Sequence, residues 1–411
     1  MDRLIYMDNA ATTSVKPEVL NSMLPFFTDN YANPSSIYNF AQKSKKAVED
    51  ARTTIADIIG ADKPNEIYFT AGGSESDNWA LKAAAECFKD KGNHIITTKI
   101  EHHAILHTCE WLEKHGYEVT YLDVDSKGLV DIDEFCAAIK DTTIIASIMY
   151  ANNEIGTIEP IKELGAAAHS KGVIFHTDAV QAFTHIPVNV KDMNIDMLSA
   201  SGHKFHGPKG TGFLYISNSV KIGSFIHGGS QERSRRAGTL NVPGIIGMAE
   251  AARLEAMNME KNMKYVSGMR DYIIERISAD IPYAILNGDR YKRLPGNIHM
   301  SFIGAASELL LIMLDQKGIC VSAGSACASG SVDPSHVLTA IGVDKNIARN
   351  SVRMTIGEDL TKEEADYVVE ELKAVVERIR SMSPEYAQFI AKKSYCLLYT
   401  SPSPRDRSLS R

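Results

Sequence analysis

Two residues of opposite charge carry the most chemistry in this chain. Asp178 follows the apolar run Gly172-Val173-Ile174-Phe175 by way of His176 and Thr177. Lys204 closes Ser201-Gly202-His203-Lys204, shortly after a second apolar segment, Ile195-Asp196-Met197-Leu198. A carboxylate at one strand end and a lysine just beyond the next strand is the pairing that pyridoxal 5'-phosphate needs. The lysine condenses with the cofactor aldehyde, and the carboxylate keeps the pyridine nitrogen protonated so that the ring can accept electrons.

Three further segments bear on that chemistry. Ala71-Gly72-Gly73-Ser74-Glu75-Ser76 follows a predicted strand and opens a predicted helix. Its glycines and free N–H groups suit a phosphate, although Ser74 or Ser76 would also serve as an ordinary helix N-cap. The Asp178/Lys204 pair favours the phosphate. Glu101-His102-His103 follows another strand. These histidines are read three ways: as hydrogen-bonded loop residues, as metal ligands without a partnered Cys/His spacing, or as a ring stacked on an aromatic cofactor where imidazole moves protons. The run from Ser322 to Pro334 holds small residues and one thiol, Cys327. A cysteine in such an exposed loop is a candidate nucleophile, set against the reading of an incidental surface thiol. Gly202 to Gly207 superficially resembles a nucleotide P-loop, but Pro208 stands where the motif needs Lys and then Ser or Thr.

The elements that must position these groups alternate. Short apolar runs at 66–70, 94–97, 118–122, 143–149 and 173–176 read as buried strands. Helical spacing fills 78–88, 104–114, 132–139 and 161–171. The pattern predicts a mostly parallel sheet covered on both faces, with ligands beyond the carboxyl ends of the strands. A long helical pattern from about 244 to 280, broken near Ser267-Gly268, leads to a smaller α+β unit. That unit has strands at 297–302 and 352–356 and a last helix from Thr361 to about Met382. The segment from Ser394 has Pro, Ser and Arg without periodicity and reads as a disordered tail.

Composition narrows the classes. The chain has 411 residues, 44% hydrophobic, and a net charge of −7, which disfavours nucleic acid as a direct partner. No apolar run spans a bilayer and no signal peptide opens the chain, so a cytoplasmic location is expected. The six cysteines contain no CxxC pair, so no metal site is expected. Cys87, Cys109 and Cys136 read as buried hydrophobes, as does Cys320.

Together the segments Tyr6 to Thr13, Asn33 to Ser36, Ser74 to Asn78, Glu101-His102, Asn152 to Gly156, Asp178 to Gln181, Ser201 to Lys204, Arg236 to Pro243 and Gly324 to Cys327 carry a resemblance. The chain resembles the pyridoxal-phosphate-dependent cysteine desulfurases of the NifS/IscS family, class V aminotransferase-like enzymes, over about residues 4 to 385. The long loop around Cys327 is similar to that of the subgroup with a mobile catalytic loop.

The resemblance implies a fold-type I α/β transferase. Its large cofactor domain (16–261) has a mostly parallel sheet, its small α+β domain (262–393) carries the Cys loop, and an N-terminal segment (1–15) joins the small domain. It implies that Lys204 holds pyridoxal 5'-phosphate and takes the substrate Cα proton. Asp178 would pair with the ring nitrogen, Gln181 with the ring hydroxyl, and His102 would stack on the ring. Gly73, Ser74, Ser201 and His203 would bind phosphate, with Thr239 reaching across from the other subunit of a homodimer. Asn153 and Arg353 would hold the substrate carboxylate, and Cys327 would take sulfur from L-cysteine as a persulfide, leaving L-alanine. The implied acceptor is an iron–sulfur scaffold protein or a tRNA-thiolation protein. A selenocysteine lyase, or another lyase or aminotransferase of this fold, is the alternative; a sulfur carrier without catalysis fits less well, since Lys204, Asp178 and His102 are all present. Two features depart from the family. Acids (Glu358, Asp359) follow Arg353 where relatives often carry a basic residue, and the C-terminus that helps dock a scaffold in related proteins reads as replaced or truncated after about Lys393.

Overall fold

The protein is described from a computed structural model at residues 4–323 and 334–400, with side chains described up to residue 393. Gly324 to Cys327, quoted above, therefore lie outside the described residues. The chain opens with β1 (Ile5–Tyr6), the short helices α1 (Pro17–Met23) and α2 (Pro25–Thr28), and α3 (Asn39–Ile59). Strands and helices then alternate: β2 (Ile67–Thr70), α4 (Gly73–Cys87), β3 (His94–Thr98), α5 (His103–Glu113), β4 (Glu118–Leu122), α6 (Ile132–Ala138), β5 (Thr143–Ser147), α7 (Ile161–Ser170) and β6 (Ile174–Asp178). Strands β7 (Met197–Ser201) and β8 (Gly212–Ile216), the turn α8 (Gln231–Ser234) and the long α9 (Val242–Asp280) follow. The remaining elements are β9 (Ala284–Leu286), β10 (Asn297–Phe302), α10 (Ser307–Asp315), β11 (Ile319–Cys320), α11 (His336–Ala340), α12 (Lys345–Ala348), β12 (Ser351–Thr355), α13 (Lys362–Met382) and α14 (Pro384–Thr400).

Seven strands form the main sheet in the order β2-β8-β7-β6-β5-β3-β4. Only β8 runs antiparallel to its neighbours, so β2 points the same way as the parallel strands. The inner strands are buried along their whole length, as expected for a parallel sheet covered on both faces. Among their polar side chains His176 meets Ser147 and Ser199 at 2.8 and 2.9 Å, whereas the buried Thr177 hydroxyl has no hydrogen-bond partner among the described residues. One face packs on α1, α3 and α9 through Val19, Ile55, Phe175, Phe213 and Met248. The other packs on α4 and α5 through Trp79, Ile105 and Leu112. Local sequence sets the helix ends: Asp131 caps α6, Thr361 and Glu364 form a capping box on α13, and Gly60 ends α3 at φ 69°.

A separate core gathers Ile273, Ile277, Met300, Leu310, Val352 and Leu372 around the sheet β12-β10-β9. The N-terminal strand belongs there, since β1 pairs in parallel with β11 and Met7 is part of that core. Lys16 ties the two regions, donating to Glu255 on α9 and to Glu358 beyond β12. Glu358, one of the acids after Arg353, thus has a partner inside the fold.

Several expectations fail. Helix α9 runs unbroken through Ser267-Gly268. Gly268 faces open space, and its cost of about 1 kcal/mol is smaller than the gain from the buried Val266, Ile273 and Ile274 beside it. Cys87 and Cys136 are exposed and Cys320 is half-buried, because each sits off its element's packed face; of the described cysteines only Cys109 is buried. The backbone past residue 394 stays helical to Thr400, since α14 starts at Pro384 and lays Phe389 edge-on against Tyr283 at 5.2 Å.

Candidate active site

Parallel strands deliver their carboxyl ends to one edge of the sheet, and the predicted residues collect there. Gly73 and Ser74 follow β2, His102 follows β3, Asn153 follows β5, Asp178 ends β6 and Lys204 follows β7. They line one cavity of about 300 Å³ together with Gln181, Ser201, His203 and Arg353.

The phosphate and N-cap readings of the α4 start are separated by geometry. No side chain caps α4. Ser76 instead donates to the Phe213 carbonyl at 3.1 Å and meets Thr70 Oγ1 at 2.9 Å, so it is a packing residue. The first-turn N–H groups remain for a ligand. Glycine is required at this turn. Gly72 has φ 152°, and a Cβ on Gly73 would lie 2.6 Å from Val180 Cγ2. A Cβ on Gly72 would sit 3.5 Å from Ser201 Oγ, so that hydroxyl faces the same turn. An open helix N-terminus beside a serine and His203 fits a phosphate ester.

The groups for a pyridine ring lie deeper. Asp178 is buried, and burial raises its carboxyl to about 6, against the opposing effects of the Val180 N–H and Lys204. The Val180 N–H donates to Oδ1 at 2.9 Å, leaving the second oxygen for a ring nitrogen. Lys204 Nζ donates to the Ala10 and Ala11 carbonyls at 2.6 and 2.9 Å. Gln181 Nε2 donates to the same Ala10 oxygen at 3.0 Å. His102 caps α5: its Nδ1 accepts from Ala104 N–H at 3.1 Å, which puts the proton of the neutral ring on Nε2. Burial first, then the Lys204 charge, hold His102 down at about 4, so it is neutral at physiological pH. His203 is lowered to about 4 for the same reasons, and its Nδ1 meets Thr12 Oγ1 at 3.1 Å. A buried carboxylate, a lysine and an anion cradle facing one cavity fit pyridoxal phosphate.

Arg353 lines the same cavity; its Nη1 donates to the Asn153 carbonyl at 3.0 Å, and Nη2 to Asp8 Oδ1 at 2.8 Å. Two expected residues are not brought in. Thr239 is exposed and does not line its own chain's cavity, and Cys327 lies outside the described residues. Others went unassigned in the sequence. Asp77 lines the cavity fully buried, with Oδ1 unpartnered, and burial and the Asp178 charge push it well up. Its place one turn after Gly73 on the same helix face was the available signal. Glu154 takes a hydrogen bond from Ser335 at 2.5 Å, and His336 Nε2 bonds the Glu101 carbonyl at 3.0 Å. These contacts hold α11 against the site.

The aminotransferase class-V family model matches residues 5–368. Cysteine desulfurase IscS of Clostridium botulinum (strain Hall) is 54% identical over 395 residues, 96% of this chain and 99% of that protein. Cysteine desulfurase IscS of Methanosarcina thermophila is 52% identical, over 93% of this chain and 94% of its own. Among solved structures, a NifS-like protein superposes with a TM-score of 0.86 at 36% identity, covering 91% of this chain and 100% of its own. SspA in complex with cysteine superposes with a TM-score of 0.76 at 38% identity, covering 86% and 99%. With the site geometry described above, these matches place the chain in the cysteine desulfurase family of the class-V aminotransferases, enzymes that depend on pyridoxal phosphate.

Proposed function

We propose that the protein converts L-cysteine to L-alanine and passes the sulfur on as a persulfide. The observation that supports this most is the meeting of Lys204, Asp178 and the open α4 terminus in one cavity that Arg353 also lines. The chemistry supplied by bound pyridoxal phosphate is an aldehyde that takes the substrate amine and a protonated ring that accepts the electrons released at Cα.

The chain's own residues do the rest. The Gly73 and Ser74 N–H groups, Ser201 and His203 would hold the phosphate. Asp178 would hold the proton on the ring nitrogen, Gln181 would meet the ring hydroxyl, and His102, with its proton on Nε2, would stack on the ring. Arg353 and Asn153 fix the substrate carboxylate, which turns the Cα–H bond toward Lys204. Lys204 Nζ takes that proton and returns one when alanine forms. The Cys327 thiolate attacks the substrate sulfur; the C–S bond breaks, an S–S bond forms, and L-cysteine plus the enzyme thiol become L-alanine plus the enzyme persulfide.

In this reading the enzyme is a homodimer with Thr239 completing the partner's phosphate site. Exposed Leu24, Phe27, Tyr31, Ile37, Tyr38 and Phe40 on and around α1 to α3 support a covered face. The chain divides into the N-terminal segment 1–15, the large domain 16–261 and the small domain 262–393, which the two separate cores support. The acceptor is an iron–sulfur scaffold or a tRNA-thiolation protein in the cytoplasm. No helix among the described residues is long and apolar enough to cross a membrane. The test incubates the loaded enzyme with L-cysteine and a thiol reductant and measures alanine and sulfide together. Equal yields are expected. Alanine without sulfide, or turnover of L-selenocysteine alone, would sink the reading.

A further inference from the structure

The contact between Asp8 and Arg353 plays no part in the reaction as proposed, and it occupies the group meant for the substrate. The Arg353 side chain is 2% exposed. Its Nη1 is committed to the Asn153 carbonyl and its Nη2 to Asp8 Oδ1. Its Nε is buried with no hydrogen-bond partner among the described residues. Nε and Nη2 form the long edge of a guanidinium, which takes a carboxylate through two parallel bonds. Asp8 engages Nη2 at one end of that edge, and Nε at the other end is unmet.

The main chain holds Asp8 in place independently of the ion pair. Asp8 bridges Thr355, two residues along β12 from Arg353 and so on the same face of the strand. The next two N–H groups continue the attachment: Asn9 donates to the Thr355 carbonyl at 3.2 Å and Ala10 to Thr355 Oγ1 at 2.8 Å. The Tyr6 hydroxyl donates to the Asp8 carbonyl at 3.1 Å. The Asp8 side chain is 18% exposed, so a displaced carboxylate has water within reach.

We infer that Asp8 is a built-in competitor for the substrate carboxylate: it sits on Arg353 in the ligand-free enzyme, yields when an amino-acid carboxylate binds, and so sets how tightly the site holds both substrate and product. The inference rests on the reading that Arg353 takes that carboxylate. An unopposed guanidinium in this wall would bind cysteine and alanine alike, because the two share the carboxylate. An internal counter-ion weakens both and lets alanine leave. Asp8 touches neither substrate nor cofactor in this role and acts only by occupying Arg353.

The test uses the loaded enzyme. L-Alanine is titrated by the change in visible absorbance, and KM and kcat are measured with L-cysteine. Asp8→Asn is expected to bind alanine on the order of tenfold more tightly, which corresponds to about 1.4 kcal/mol. KM falls with it and kcat does not rise. Asp8→Ser shifts in the same direction, and Asp8→Glu returns both constants toward the native values. If Asp8 only orients Arg353, Asp8→Asn weakens alanine binding and raises KM; that result, or an unchanged alanine affinity, overturns the inference. Arg353→Lys separates the two readings. Native alanine affinity in that variant removes the role of Arg353 itself, whatever Asp8→Asn does.

Discussion

Asp178 is placed where the cofactor needs it and the cofactor-free fold does not, so replacing it with Asn should move stability and activity in opposite directions. Burial raises its carboxyl from 3.8 to about 6. At about 1.36 kcal/mol for each tenfold change in proton affinity, keeping it ionised near pH 7.5 costs the empty protein roughly 3 kcal/mol. An acid whose pKa is raised by folding gives its full stability below the unfolded value of 3.8 and loses it as pH rises through about 6. Asn keeps the oxygen that accepts the Val180 N–H at 2.9 Å and carries no charge. Cofactor-free Asp178→Asn should therefore be about 1–3 kcal/mol more stable than the native protein near pH 7.5, and no more stable near pH 4. Asp77 acts in the same direction, because removing one of two facing carboxylates relieves the other. Denaturant midpoints of the two proteins at both pH values read the difference. The loaded variant should lose most alanine formation, since nothing then holds the proton on the ring nitrogen. An Asn variant no more stable near pH 7.5, or equally stabilised at both pH values, would refute the burial argument.

Lys204→Ala should lose both the visible absorbance of the lysine-bound cofactor and alanine formation; Lys209 is committed to the Thr13 carbonyl at 3.3 Å and does not substitute. Retention of both signals would remove Lys204 from the mechanism. Cys327→Ser should keep the yellow cofactor and bind L-cysteine but form no persulfide, because a hydroxyl is a far poorer nucleophile than a thiolate. Mass spectrometry of the native enzyme should find the added sulfur on the Cys327 peptide, and finding it on Cys320 would move the nucleophile. Glu232→Ala removes the buried counter-charge of Arg52, a contact of 2.7 Å, leaving only the more exposed Glu49 at 3.4 Å, and should cost about 3–5 kcal/mol in denaturant melts. Asp50→Ala in the exposed Lys46–Asp50 pair should cost less than about 0.5 kcal/mol; equal losses would mean that burial of the Glu232 pair carries no weight.

The residues at the ends of strands were legible because their placement is local. A buried strand announces itself by a short apolar run, and in a parallel sheet its carboxyl end leads to the ligand edge. Gly73, His102, Asp178 and Lys204 each lie at or just beyond such an end. The split into a large sheet and a smaller α+β unit follows from the same local periods. What failed concerned faces and continuations. Apolar spacing does not say which side of α4 or α6 meets solvent, so Cys87 and Cys136 were assigned to the wrong side. A glycine in a long helix reads as a break unless the packing of its neighbours is known, as at Gly268.

The sequence by itself therefore determined the cofactor class, the pairing of Asp178 and Lys204 at neighbouring strand ends, and the order of the elements that carry them. Each depends on a side chain's chemistry and its distance from a strand end. Only the tertiary structure decided that Ser76 packs and leaves the α4 amides open, since its partner is the Phe213 carbonyl, 137 positions away. Only it laid Ala10 and Ala11 against Lys204, 194 and 193 positions away, and brought Asp8 onto Arg353, 345 positions away. The physical reason is that these contacts have no local period. Ser76 meets Phe213 where β8 pairs with β2, and the Asp8, Ala10 and Ala11 contacts follow from the pairing of β1 with β11 and the Asp8–Thr355 bridge; backbone pairing between distant segments leaves no pattern in either one.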